Sequence, residues 1–94
     1  MFDRILQEMR RKVRAGQYVM TLHAEDEMDA DGLSIYDVES AVLSGEIVER
    51  QTDRPGGDRK YVIRGRPAEG SDWVLVVAKL GPTGKVVFLT VYVE

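Results

Sequence analysis

The stretch Ser34-Ile35-Tyr36-Asp37-Val38-Glu39-Ser40-Ala41-Val42-Leu43-Ser44-Gly45-Glu46-Ile47-Val48-Glu49-Arg50-Gln51-Thr52 contains the point at which the chain changes its period. Ser34 followed three residues later by Asp37 is a capping-box-like start for a helix. Ile35, Val38, Ala41 and Val42 recur at helical spacing and supply its buried stripe. Gly45 closes that helix, and Ile47 to Thr52 read as extended chain. Helix before this point and strand after it predict an α+β fold.

Upstream, Phe2, Ile5, Leu6, Met9 and Val13 fall on one helical stripe, giving a first helix from about residue 2 to 14 that Gly16 ends. Arg10, Arg11, Lys12 and Arg14 suit the negative end of its dipole. Tyr18-Val19-Met20 is a short extended segment. Thr21 is the expected N-cap of a second helix, with Glu25, Asp26 and Glu27 in its first turns and Gly32 at its stop.

Downstream, Asp53-Arg54-Pro55-Gly56-Gly57-Asp58 is turn chemistry throughout. Strands are expected over Arg59 to Arg64, Trp73 to Ala78 and Val86 to Val93, with Gly81-Pro82-Thr83-Gly84 joining the last two. On the first of them Tyr61 and Ile63 share one face, and Lys60, Val62 and Arg64 the other. Short connections between sequential strands imply an antiparallel meander. The expected architecture is one domain, residues 1–94, with N-terminal helices packed on a four-stranded antiparallel β-meander. The last two strands are apolar on both faces, so both need cover. Helices 2 and 3 would cover one face, and helix 1 or a partner subunit the other.

Composition bounds the function. The 94 residues hold no cysteine, which removes disulfides, thiolate metal sites and cysteine nucleophiles together. No apolar run approaches the ~20 residues that span a bilayer, and the start is not a signal peptide. A cytoplasmic protein without membrane contact is expected. Net charge is −3, unevenly spread. Residues 22–49 hold nine carboxylates and no Lys or Arg, whereas the first 21 residues carry five positive charges against two negative. One acidic and one basic face follow.

Two sets of residues could carry chemistry. His23, the one histidine, stands at the start of helix 2, where the dipole favours a neutral imidazole able to act as a general base. It shares a helix face with Glu27, but two ligands make no metal site, and no second histidine or any cysteine exists to complete one. No metal or other cofactor is expected. Arg59, Lys60 and Arg64 form the second set, with Arg50 and Arg54 nearby, and could clamp a phosphate. Pairing with the acidic helices accounts for the same bases equally well. No Gly-rich phosphate loop or nucleophile elbow is present.

The run His23-Ala24, Met28, Gly32-Leu33-Ser34, Asp37-Val38-Glu39 and Gly45-Glu46-Ile47, continued by Arg59-Lys60-Tyr61, Val74 to Ala78 and Thr90-Val91-Tyr92, resembles domain-of-unknown-function family 4258 over roughly residues 18–93. Members look like small α+β proteins akin to the RelE-type and BrnT-type toxins, and many are encoded beside antitoxin-like DNA-binding proteins. The resemblance implies a RelE-like fold and a metal-independent endoribonuclease of the toxin–antitoxin kind. In it His23 would take a proton from a 2′-hydroxyl while Arg59, Lys60 or Arg64 stabilises the phosphorane oxygens. Glu27 and Ala30-Asp31 stand where many members carry arginine, which strips positive charge from this segment. The other expectation is a non-catalytic interaction module, or decayed toxin, that pairs with an antitoxin or with its own copy. The expected partners are thus an antitoxin protein, RNA or a homodimer mate.

Overall fold

The computed structural model describes residues 2–52 and 57–94. In chain order the elements are α1 (Asp3–Arg14), β1 (Tyr18–Met20), α2 (Leu22–Ala30), α3 (Ile35–Ser44), β2 (Glu46–Thr52), β3 (Arg59–Gly65), β4 (Val74–Leu80) and β5 (Val86–Val93). Part of the expected turn between β2 and β3, Asp53 to Gly56, lies outside the described residues.

The helix starts follow from their caps. Thr21 accepts the Ala24 N–H at 3.1 Å and donates its own hydroxyl to the Leu89 carbonyl, which fixes α2 to β5. Ser34 and Asp37 form the full capping box, the Ser34 N–H donating to Asp37 Oδ2 at 2.9 Å. Gly32 between the two helices has φ 69°, a left-handed turn that a side chain would resist. One base of α1 does not serve its own dipole: Arg10 donates to the carbonyls of Val42 and Gly45 and caps the C-terminus of α3 instead.

The sheet has five strands in the order β1-β5-β4-β3-β2. β2 to β5 form the expected antiparallel meander, but β1 joins β5 in parallel, Tyr18 opposite Val86 and Met20 opposite Phe88. The expectation of four antiparallel strands is therefore corrected to a mixed five-stranded sheet. Connection length orders only strands that follow one another, and the partner of β1 is the last strand of the chain. β5 has eight residues and a free edge, and three extended residues satisfy its first half.

Among the described residues all three helices lie on one face. The core joins Leu6, Met9 and Val13 of α1, Ala24 of α2, and Val38, Ala41 and Val42 of α3 to Tyr61, Ile63, Val74, Val76, Ala78, Val86, Phe88 and Val91 of the sheet. Helix 1 thus shares the face of helices 2 and 3, with Phe2 meeting Tyr61 edge-on at 5.9 Å. The reason is visible at Gly65 and Gly45. A Cβ at either position would overlap the backbone of Ala41, so α3 rests directly on β3 and leaves room for α1 beside it.

Two bulges set which residues face the helices. Register shifts between Ile47 and Glu49 leave Val48 unpaired, and Leu89 is the extra residue between Phe88 and Thr90. On β5 the inward set is therefore Val86, Phe88 and Val91, while Thr90 and Tyr92 turn to the other side. That side, with Val62, Leu75, Val77, Val87 and Tyr92, carries no helix among the described residues.

Candidate functional site

His23 is the second residue of α2, and its side chain is 69% exposed. Its Nε2 stands 3.2 Å from Glu27 Oε1, and that same oxygen accepts the Val91 N–H at 3.2 Å. The pair has a structural origin. β1 ends at Met20, so the second half of β5 has no strand on that edge, and Glu27 supplies the missing acceptor. Glu27, at a position where positive charge would favour a phosphate, is thus occupied with the sheet edge.

The sheet bases lie elsewhere. Lys60 and Arg64 point to the helix-free face of β3, and Arg59 has the parity of the helical face at the strand's beginning. β3 is two strands from β5, roughly 10 Å across the sheet. His23 rides on the helical side at the β5 edge, and the cleft that Arg64 lines among the described residues, with Ser44, Gly45, Glu46 and Trp73, does not include it. The acid–base group and the phosphate clamp are not brought together.

Arg64 belongs to a different constellation. Its Nε and Nη2 both donate to Glu94 Oε1, at 3.0 and 2.7 Å, while its guanidinium stacks over the Trp73 ring at 3.8 Å. Arg66 stacks on the same ring at 3.4 Å and donates to the Ser71 carbonyl. Each such contact contributes about 0.5–1 kcal/mol at an exposed site. Ser44, Gly45, Glu46, Arg64 and Trp73 line a cleft of about 190 Å³ there. The cluster can hold a carboxylate on a guanidinium that lies over an indole, as it already holds Glu94. It contains no nucleophile paired with a base.

Trp73 and Arg66 are not evident from alternation alone, because their meeting depends on the register of β3 against β4. With Arg64 opposite Leu75 and Gly65 opposite Val74, the same register continued one step sets Arg66 beside Trp73. Two other polar groups are structural anchors. Asp37, 7% exposed, receives the N–H groups of Ser34 and Glu69, and the Ser34 bond foremost holds its carboxyl below the usual range against the opposing effect of burial. Tyr18 donates to Glu39 Oε2 at 2.6 Å, and burial, then that carboxylate, push its hydroxyl up to about 12. Among the described residues no three His, Asp or Glu side chains gather as a metal would require. No helix among them is long and apolar enough to cross a membrane.

No curated protein and no solved structure matches this chain. The family model described as Domain of unknown function (DUF4258) matches residues 20–93, which span α2 to β5 and all the sheet bases. The chain belongs to that family.

Proposed function

We propose that this chain is a non-catalytic interaction module that docks an antitoxin-like protein on the helix-free face of its sheet. One observation carries the reading: a sheet with every helix on one side and a continuous apolar centre on the other. Val62 and Leu75 are buried there by their neighbours alone, with half-buried Val77 and Val87 and exposed Tyr92 around them. The rim carries charges of both signs. Arg64 pairs with Glu94 and Lys79 with Asp58 at 3.0 Å, beside Glu46 and Glu49 on β2. An apolar centre inside a polar rim is the anatomy of a protein interface. A polyanion site, by contrast, gains its affinity from cations that displace counterions, and Arg64 and Lys79 on this face are already paired with carboxylates.

The test is co-expression with the proteins encoded by the adjacent genes, a DNA-binding antitoxin-like one being expected, read by light scattering on a sizing column. A defined complex is expected, lost in Val77→Lys with the far-ultraviolet spectrum unchanged. Self-association without that protein would assign the face to a second copy. A complex indifferent to Val77→Lys overturns the reading. So does RNA cleavage that persists through a salt titration and disappears in His23→Ala. That second result would establish the metal-independent ribonuclease with His23 as base, a reading against which the separation of His23 from Arg59, Lys60 and Arg64 weighs.

A further inference from the structure

The sheet ends in two unlike edges. β2 is blunted by the Val48 bulge and by Glu46, Glu49 and Arg50, devices that discourage another strand from pairing. β1 has no such protection. Gln17 O accepts from Val86 N and Thr21 N donates to Phe88 O, so in the parallel ladder Val19 spends both its backbone groups on β5. The N–H and C=O of Tyr18 and Met20 therefore point away from the sheet. No described residue bonds to them, and they form the open ladder for a sixth strand.

Beside that edge lies a cleft of about 410 Å³ lined by Tyr18, Met20, Met28 and Ile35, with Glu25 and Asp29 at its rim. Both carboxylates are exposed and form no salt bridge among the described residues. On the other side of the edge Val19 is 45% exposed and faces the helix-free side.

We infer that the β1 edge accepts an extended segment of a partner protein in which Lys or Arg alternates with apolar residues. Successive side chains of an added strand point to opposite faces. Those on the helical side would lay an aliphatic stem over Met28 and Ile35 and carry an ammonium or guanidinium to Glu25 and Asp29. Those on the other side would cover Val19 and prolong the apolar centre. Main-chain bonds to Tyr18 and Met20 give the affinity, and the two carboxylates give the choice of sign. This site does not depend on the docking of a partner at the helix-free face. It uses the backbone of the β1 edge and the carboxylates of α2, not the centre of that face.

The experiment uses the full chain and labelled octapeptides alternating Val or Ile with Lys or Arg, and their Asp/Glu counterparts, followed by fluorescence anisotropy. The basic set is expected to bind roughly tenfold more tightly than the acidic set, the effect of two charge pairs. In Glu25→Lys/Asp29→Lys the preference reverses. Hydrogen exchange at the Tyr18 and Met20 amides slows on binding, and peptides N-methylated at alternate residues lose affinity. The proposal is overturned by no binding up to about 1 mM across the set, by equal affinity for both signs, or by unchanged exchange at those amides. Should the double variant not fold, Glu25→Gln alone and the N-methylated peptides still decide the matter. Slowed exchange at Tyr18 and Met20 that rises with protein concentration, without peptide, assigns the edge to a second copy and overturns the basic segment.

Discussion

Phe88 and Tyr92 are aromatic residues on one strand, an even number of positions apart, and strict alternation would put them on the same side. The Leu89 bulge separates them. Phe88 is fully buried under the helices, whereas Tyr92 is 39% exposed on the helix-free face. The difference between these two sides teaches what each is for. The helical side is filled by side chains from every helix, and its stability is already spent within the chain. The other side is apolar at its centre and has nothing from the described chain laid over it. The first face holds the fold together, and the second is the one proposed above for a partner.

The most direct way to break this contrast is to truncate both aromatics. Phe88→Ala should cost about 3–5 kcal/mol in chemical denaturation, the range for deleting a buried aromatic. Tyr92→Ala should stay below about 1 kcal/mol in the isolated protein, since it removes a side chain that water already reaches. Similar losses at the two positions would mean that the faces are not energetically distinct. Gly65→Ala comes next, at about 3 kcal/mol, the upper part of the overpacking range. Its new methyl would strike the Ala41 backbone, which cannot rotate out of the way as a side chain could. A neutral Gly65→Ala would show that α3 does not rest on β3 as closely as the structure has it.

The same residues show how far the sequence could be read. Thr21, Ser34, Asp37, Gly32 and Gly45 act within a few residues of themselves, and their helix boundaries were legible for that reason. The parallel pairing of Tyr18 with Val86 was not, because nothing local to either names the other. Nor were the bulges: Val48 and Leu89 are ordinary strand residues, and only the partner strand reveals that each is supernumerary. The candidate site suffered most. Lys60 and Arg64 were rightly assigned to one strand face, but the distance from His23 depends on strand order. Arg66 and Trp73 meet only once the β3–β4 register is known. Glu27 reads as a possible ligand beside His23, and the oxygen that meets His23 also accepts from the β5 edge that the missing half of β1 leaves open.

Asp37 tests the contrast most finely, because it ties the start of α3 to the loop leaving β3 without touching the helix-free face. Its carboxylate receives N–H bonds from Ser34 and Glu69 at 2.9 and 3.1 Å. Asp37→Ala should cost roughly 2 kcal/mol near neutral pH, the scale of hydrogen bonds to a charged acceptor. The sign of its pH dependence follows from the lowered folded-state value. The unfolded chain takes up the proton first, at the ordinary carboxylate value of about 3.9, so the contribution is complete above that value. It fades as pH falls further, through the lower value of the folded state. Melting temperatures of the wild type and Asp37→Ala should accordingly stay apart above about pH 4 and converge as pH falls below it. A gap that stays constant through that fall would mean that the variant loses packing rather than the charge that pins α3 over the covered face.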